Sequence, residues 1–306
     1  MVPSAVTLAA PILCAALIID RLCGDPHSRY HPVALLGTFI SLWGRPDYYS
    51  QSLQRSAGAL FWLLTVSVFC LPFILVTAYA PWYLYLCLAP FPLKFCLAWR
   101  SLEEHTLAVV SALEDGVEKG REQVGMLVSR DTASLDRNHI LSAGYESLTE
   151  NLNDSIIVPL FWFTLLNLPG AAACRAINTM DAMLGYRDER ERLGWCAARM
   201  DDAINYLPAR ITVFPLLVWF AKKGTLSRAW NVMRRDGHLR PGLNGGIIMA
   251  TMAGGTGVYT IGNGERTLDE GGLDILTAAR AVTLMYAALA CCTLILLGAL
   301  INHIGI

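Results

Sequence analysis

Four stretches of this chain are apolar over lengths that suit a membrane-spanning helix, and this constrains the fold more than any other feature. A spanning helix needs about 20 mostly apolar residues to cross the lipid core. The candidate spans are Val2–Ile19, Ala57–Ala80, Trp82–Trp99 and Ala281–Ile301. Backbone polar groups in lipid must bond within their own segment, and a helix meets that condition. The sequence therefore predicts an all-α integral membrane protein with multipass helices, about 4–6 hydrophobic segments in total.

Two further apolar runs are weaker. Ser155–Ala173 is interrupted by Leu168-Pro169-Gly170, and Ile211–Ala221 is too short to span alone and contains Pro215. Arg-rich loops favour the cytoplasmic face. If both weak runs dip into the membrane or pack inside the protein, every Arg-rich segment lies on one face. We expect this topology, in the cell membrane, with the active face cytoplasmic.

Composition excludes several classes of protein. Charged residues make up 16% of the chain, against about 25% in a soluble domain. The net charge of -1 gives no reason to expect a nucleic-acid partner. Most of the nine cysteines lie in apolar runs and none forms CxxC, which favours buried thiols over a disulfide framework or zinc site. The first apolar run lacks a basic flank and cleavage site, so we expect a retained helix rather than a signal peptide.

We predict a single multipass domain over residues 1–306. Helical segments are expected on the cytoplasmic face at 100–154 and 174–210, with a Gly-rich segment at 240–272. Within the Gly-rich segment, VYTI is the one short strand that the pattern suggests.

Helix ends follow from local signals. In the first cytoplasmic segment, Thr132 or Ser134 is the expected helix cap. Residues 171–207 are expected to form two helices, the first ending near Gly185 and the second before Pro208.

The first polar cluster is DRLCGDPHSRYHPV, directly after the first apolar run. Asp20, Asp25, His27 and His31 are residue types that bind metals or exchange protons. The alternative is a solvated loop at the membrane interface.

The second cluster is a carboxylate stripe on a predicted helix that runs into apolar sequence. Glu146, Glu150 and Asp154 recur every four residues, with Asn151 beside them. Stacked carboxylates repel unless a cation lies among them, and carboxylates entering a membrane-depth segment are usually functional. The stripe therefore indicates either a site that binds a metal or substrate, or an acidic helix face that is exposed to solvent.

Two more polar stripes lie between apolar segments. Arg175, Asn178 and Asp181 lie broadly on one side of a helix. Further along, Arg199 and Asp202 share a face beside a stripe of Asp201 and Asn205. Buried polar groups need partners, so both stripes indicate either ligand binding or internal salt bridges. The Gly-rich segment offers N–H groups for phosphate, but no P-loop motif is present, and tight packing is the alternative.

These motifs together resemble the CbiB/CobD family of cobalamin-biosynthesis membrane proteins, adenosylcobinamide-phosphate synthase. The resemblance spans nearly the whole chain in order: DxxxGDP…HPV from Asp20, RSLxxH at Arg100–His105, RDT at 130–132, ESxxEN at Glu146–Asn151, RAxNTxDxMxGY at Arg175–Tyr186, and GWxxARxDDxxNxxPAR at Gly194–Arg210. Ala34 and Ser129 depart from the family pattern, and the late block reads HLRPGLNGGIIM.

The resemblance implies an ATP-dependent amide ligation. Adenosylcobyric acid would be joined to 1-amino-2-propanol O-phosphate, or a related amino alcohol, to give adenosylcobinamide or its phosphate. ATP and Mg²⁺ are the implied cofactors. The implied partners are the corrinoid and amino-alcohol phosphate substrates and membrane lipid, with a homo-oligomer or a complex with other pathway enzymes left open. The alternatives are a non-catalytic corrinoid-binding or scaffold protein, or an AmpE-like membrane sensor.

The resemblance also assigns expected roles to residues. Expected catalytic residues are Asp181, Asp201, Asp202, Glu146 and Glu150. Expected substrate- or nucleotide-binding residues are Asp25, His31, Arg100, His105, Arg130, Asn151, Arg175, Asn178, Arg199, Asn205, Arg210 and Asn244. Expected Mg²⁺ ligands are Glu150, Asp154, Asp181 and Asp202.

Overall fold

A computed structural model describes residues 5–26, 29–128, 131–240, 242–258 and 268–304, and all regular elements in these ranges are helices. The first seven are α1 (Ala5–Cys23), α2 (Pro32–Trp43), α3 (Gln54–Tyr79), α4 (Trp82–Leu88), α5 (Pro90–Cys96), α6 (Trp99–Asp115) and α7 (Val117–Gly125). The remainder are α8 (Arg137–Leu152), α9 (Val158–Leu184), α10 (Glu191–Lys222), α11 (Leu226–Asp236), α12 (Gly245–Thr256) and α13 (Leu268–Ile304). A 3₁₀ turn covers Pro46–Tyr48, and a π-helical turn covers Asn153–Ile157.

Six helical stretches in the described ranges are long and apolar enough to cross a membrane. They are Ala5–Cys23, Gln54–Tyr79, Trp82–Asp115, Arg137–Leu184, Glu191–Lys222 and Asp274–Ile301. The prediction of an all-α multipass membrane protein is confirmed.

The prediction that a helix ends before Pro208 is wrong, and the short run 211–221 is the continuation of that helix. α10 runs through both Pro208 and Pro215. A proline removes one N–H donor and leaves the carbonyl four residues earlier without its helical partner. For Pro208 that carbonyl belongs to Ile204, and it accepts a hydrogen bond of 3.1 Å from the Trp162 indole N–H. This outside donor allows the helix to pass the proline.

Other boundaries also differ from the sequence prediction. The run 82–99 is divided into α4 and α5, which meet at Ala89-Pro90. Part of the Gly-rich segment folds as the helix α12. Of the proposed VYTI strand, Val258 is non-regular and the other three residues lie outside the described ranges.

The cap of α8 is Asp136, not Thr132 or Ser134. The Asp136 carboxylate accepts the His139 backbone N–H at 2.9 Å. Because the helix begins only at Arg137, the hydroxyls of the two predicted residues lie too early in the chain to reach its first turn.

The described residues of 1–98, 158–205 and 287–306 form one compact unit, which we call the first unit. Its core packs apolar side chains of α2 against those of α9 and the start of α10: Leu36, Ile40, Trp43, Ala176, Ile177, Met180, Leu184, Leu193 and Ala197. A Cβ at Gly194 would collide with the Leu184 carbonyl, so glycine is required for this approach.

A kink interrupts α9 within the first unit. Asn167 has φ 58°, outside the helical range, two residues before Pro169. Its side chain accepts the Tyr85 hydroxyl proton at 2.6 Å and the Leu168 N–H at 2.9 Å, and donates to the Ala5 carbonyl at 3.2 Å. The predicted interruption at Leu168-Pro169-Gly170 is thus a kink that one asparagine satisfies.

The described residues of 99–157 and 206–286 form the second unit. In it α8 packs against α6, α7 and α12, and α11 packs against α12. The buried Glu103 accepts the Trp99 indole N–H and an Arg280 N–H, each at 2.8 Å, so its charge is compensated.

Candidate functional site

A cavity of about 600 Å³ in the second unit collects the predicted carboxylate stripe. Its polar lining comes from α8, the end of α11 and the following loop: Glu146, Ser147, Glu150, Asn151, Asp236 and Arg240. Its apolar wall is built by Val232 of α11 and by Met249, Ala250 and Ala253 of α12. This volume lies in the range of small-molecule and cofactor sites.

The carboxylates of α8 are held by different partners. Glu146 accepts a hydrogen bond of 2.8 Å from the Ser142 hydroxyl, one turn earlier. Glu150 accepts one of 2.9 Å from Arg240, which also contacts Met249. Arg240 is therefore the cation that a carboxylate stripe on one helix requires.

Asp154 lies in the π-helical turn Asn153–Ile157 and is not among the residues that line the cavity with Glu146 and Glu150. Its carboxylate accepts the Asn153 amide at 2.9 Å. Asn151 stays with the cavity, and its side-chain oxygen accepts the Ser155 hydroxyl proton at 3.1 Å.

The end of the late block is tied to α10 by an arginine. Arg210 donates to the Asn244 side chain at 2.8 Å and to the Leu243 carbonyl at 3.1 Å. Its guanidinium also lies 3.5 Å from the centre of the Tyr206 ring, a cation–π contact.

A second polar cluster lies in the first unit, around the GDP…HPV loop. Asp25 pairs with Lys94 of α5, and its carboxylate lies 3.6 Å from the His31 Nε2 atom. Lys94 is only 3% exposed. A buried lysine needs a compensating charge, and the partly exposed Asp25 supplies it, so the pair fixes the loop onto α5.

His31 has a defined orientation within this cluster. Its Nδ1 accepts the Val33 N–H at 3.3 Å and thereby caps α2, which leaves Nε2 to face Asp25. The ring meets Phe95 edge-on, at 5.1 Å between centroids. Burial lowers the pKa of His31 most; the charges of Lys94 and Arg175 also lower it, and Asp25 opposes the change.

Stability is expected to fall as the pH drops below 6.5, the ordinary value for His31. Because folding lowers this pKa, the unfolded chain takes up a proton first in that window, which favours unfolding. Well above 6.5 both states are neutral and this contribution is absent. Melting temperatures measured down this range for the wild type and His31→Asn test the effect, since asparagine keeps a capping oxygen and removes the titration. Equal slopes for both proteins would contradict it.

The predicted polar stripe of Arg199, Asp201, Asp202 and Asn205 lies on the helix α10. Asn205 is 2% exposed and donates to the Asp201 carboxylate at 2.7 Å. Asp202 is half-buried, and Arg199 is exposed.

The model of the CobD/Cbib protein family matches residues 13–298. The chain belongs to the CobD/CbiB family.

Curated relatives support the family assignment over most of their length. The chain is 36% identical over 281 residues to a "Probable cobalamin biosynthesis protein CobD" of Methanothermobacter thermautotrophicus, covering 87% of this chain and 93% of that protein. It is 33% identical over 270 residues to the "Cobalamin biosynthesis protein CobD" of Dehalococcoides mccartyi, covering 84% and 88%. A relative from Thermococcus kodakarensis is 44% identical over 200 residues, covering 65% and 67%. No solved structure matches the chain.

The predicted site residues of this CobD/CbiB-family chain divide between the two units. In the first unit are Asp25, His31, Arg175, Asn178, Asp181, Arg199, Asp201, Asp202 and Asn205. In the second are Arg100, His105, Glu146, Glu150, Asn151, Asp154, Arg210 and Asn244. Arg130 lies outside the described residues.

Some predicted residues have surroundings that need no ligand. Arg100 forms an exposed pair with Glu104 at 2.6 Å, and His105 is exposed. The proposed Mg²⁺ ligands also divide, with Glu150 and Asp154 in the second unit and Asp181 and Asp202 in the first. Among the residues that the structure describes, no three side chains of His, Cys, Asp or Glu meet as a metal cluster. Their roles stay predictions.

Sequence reasoning missed Lys94 and Arg240. Lys94 is the only charged residue within the apolar run 82–99, and a charge at membrane depth is itself a functional signal. Arg240 gave no such signal, because it lies in a loop about ninety positions after its partner Glu150, and only the fold brings them together.

Proposed function

We propose that this cobalamin-biosynthesis protein of the CobD/CbiB family is an ATP-dependent ligase. Its substrates are adenosylcobyric acid and 1-amino-2-propanol O-phosphate or a related amino alcohol. Its product is adenosylcobinamide or its phosphate, formed on the cytoplasmic face. The family match over residues 13–298 supports the pathway, and the site chemistry supports the reaction.

Amide formation from a free carboxylate requires activation. In the proposed reaction a corrinoid carboxylate oxygen attacks the γ-phosphorus of ATP, giving an acyl phosphate and ADP. The amine then attacks the acyl carbon, the C–N bond forms, and inorganic phosphate leaves. The amine must lose a proton on the way, and a carboxylate or histidine near neutral pH can accept it. Asp201, Asp202, Asp181 and His31 are the candidate bases.

The cavity of the second unit carries the proposal, because it sets Glu146, Glu150 and Arg240 around one space. Arg240 suits a phosphate, which it can bind with two parallel hydrogen bonds. Mg²⁺ is usually held by one or two carboxylates, with phosphate oxygens and water completing its shell. Glu146 and Glu150 fit that requirement and would hold the ion, which would neutralise nucleotide charge when bound.

The cluster around Asp25 supports binding of a second anion. Lys94 pairs with Asp25, and the charge of Arg175 acts on both Asp25 and His31. Cations in a partly buried cluster favour a carboxylate or phosphate ligand. We assign this cluster to an anionic group of the corrinoid or amino-alcohol substrate.

The decisive experiment measures coupling with purified protein. Wild type supplied with adenosylcobyric acid, aminopropanol phosphate, ATP and Mg²⁺ should release one ADP for each amide formed, as followed by mass spectrometry. Asp202→Asn should lower turnover about 10²–10⁴-fold, the usual effect of removing a proton-transfer group. The matched control Asp188→Asn removes a surface carboxylate that pairs with Arg190 and should leave turnover unchanged.

A non-catalytic corrinoid carrier or scaffold would give a different result. The absence of a P-loop motif in the sequence favours that alternative. Wild type that binds the corrinoid yet forms no amide under these conditions would sink the ligase proposal.

A further inference from the structure

The connection between α10 and α11 has the composition of a membrane-interface anchor. The candidate span Glu191–Lys222 ends there, and the next residue is Lys223. Two of the four lysines in the chain are thus adjacent at this point. The Lys223 ammonium lies 5.3 Å from the centre of the Trp219 ring. Tryptophan and basic residues at a span end are typical of the headgroup level.

A polar cavity of about 260 Å³ opens beside this connection, within the second unit. It is lined by Trp219, Lys223, Thr225, Arg228, Thr256, Asp274 and Thr277, among others. Asp274 and Thr277 belong to α13, which begins at Leu268. The cavity therefore lies at the end of the candidate span Glu191–Lys222, where the chain would leave the lipid core.

The cations of this cavity are held in place before any ligand arrives. Arg228 donates to the Gly254 carbonyl at 2.7 Å and to the Gly255 carbonyl at 3.3 Å. Gly257, with φ 78°, lies so close that a Cβ would come within 2.9 Å of the guanidinium. Among the described side chains that line the cavity, Lys223 and Arg228 exceed the carboxylate of Asp274 by one charge, so this lining favours an anion.

Thr225 adds an unused hydrogen-bonding group. Its hydroxyl oxygen is inaccessible to solvent and has no hydrogen-bond partner among the described residues. A buried hydroxyl without a partner is costly. Because Thr225 lines the cavity, rotation of its side chain would bring the hydroxyl to a bound phosphate, whose oxygen would accept its proton and remove that cost.

An apolar cavity of about 600 Å³ flanks the same connection on α10 and α11. Its lining includes the exposed side chains of Phe214, Val218, Leu226 and Trp230. Farther along α11, Arg234 is exposed in the last turn. A helix with exposed Leu and Trp and basic residues is typical of one that lies in the membrane interface.

We propose that the α10–α11 connection binds one anionic phospholipid. Its phosphate is held by Lys223, Thr225 and Arg228, and an acyl chain lies along Phe214, Val218 and Trp230. The basic polar cavity and the apolar cavity lie side by side at the end of a span. A lipid would fill both cavities, whereas a soluble anion would need only the polar one, so we assign a lipid. This site contains none of the residues assigned to the ligase reaction, so the lipid proposal can be tested independently of the proposed function.

The test uses the full chain, purified in detergent and depleted of lipid. Native mass spectrometry and melting temperature would be recorded with dioleoyl phosphatidylglycerol, dioleoyl phosphatidylcholine and glycerol phosphate. We expect phosphatidylglycerol to bind about tenfold more tightly than phosphatidylcholine, since each basic residue near a lipid phosphate contributes measurably. Lys223→Glu should remove that preference. If this charge reversal impairs folding, Lys223→Gln is the second variant, and it should reduce the preference. Trp230→Ser should weaken binding of both lipids.

The matched control is Lys119→Glu, a lysine of the same unit whose side chain is 63% exposed in a surface pair with Asp115. It should change neither lipid's affinity. Equal binding of the two lipids, or a preference that survives Lys223→Glu, would overturn the proposal. Glycerol phosphate binding as tightly as phosphatidylglycerol would identify a soluble-anion site instead, and would overturn the lipid assignment.

Discussion

Replacing Arg240 by alanine is expected to lower kcat/KM for amide formation by about 10–10²-fold, because a hydrogen bond to a charged group contributes about 1.5–3 kcal/mol of binding free energy. The change should appear mainly in KM for ATP, because Arg240 faces the cavity assigned to the nucleotide. Steady-state kinetics with each substrate varied in turn measures this split. Arg240→Lys should recover only part of the loss, since an ammonium cannot make two parallel hydrogen bonds to one phosphate.

Folding should be nearly unaffected by this change. The side chains of Arg240 and Glu150 are 35% and 43% exposed, and pairs of that exposure stabilise by about 0–1 kcal/mol. Lys119→Gln is the matched control, because that cation lies in the same unit and pairs with Asp115 on the surface, where both side chains are 63% exposed. If Arg240→Ala kept wild-type kinetics for ATP, the nucleotide would have to bind elsewhere.

Lys94→Met is expected to destabilise the protein by about 1.5–3 kcal/mol, the contribution of a hydrogen bond to a charged group. The Lys94 side chain is 4% exposed, and the change removes the cation that pairs with Asp25, whose side chain is 24% exposed and still interacts with the charge of Arg175. Thermal unfolding in detergent measures the loss. Lys119→Met, which breaks a pair of two 63% exposed side chains, should cost only about 0–1 kcal/mol.

A double variant separates structural from functional roles of this cluster. Lys94→Met with Asp25→Asn removes both charges, so most of the lost stability should return. If the cluster binds a substrate anion, the folded double variant should still show a raised KM for the corrinoid or the amino-alcohol phosphate. Full recovery of both stability and kinetics would reduce the cluster to a structural clamp.

The membrane helices could be predicted because their signal is local. Long apolar runs predict spans wherever they occur, and Ala5–Cys23 and Gln54–Tyr79 lie close to the predicted ranges. The prediction that a helix ends before Pro208 was wrong because a distant residue supplies the hydrogen-bond donor that proline lacks. Nothing near Pro208 in the sequence announces Trp162, so the end of the helix was placed too early.

In the candidate site, too, the features that depend on one segment could be predicted and the long-range contacts could not. Glu146, Glu150 and Asn151 were predicted on one helix and line one cavity, because helical spacing is a property of a single segment. Asp154 does not line that cavity, and it lies in a π-helical turn, which has no reliable sequence signal. Arg240 and Lys94 became visible only through long-range contacts, which no spacing rule contains.

The hydrogen bond from Trp162 to the Ile204 carbonyl makes two distant positions depend on each other. With proline at 208, the indole is the donor that this carbonyl lacks. With alanine at 208, the helix would supply its own N–H and the indole would become redundant there. Substitution of Trp162 should therefore be tolerated better in a Pro208→Ala background than in the wild type. Within the family, the two positions are expected to change together, so their covariation would record this contact in sequence data alone.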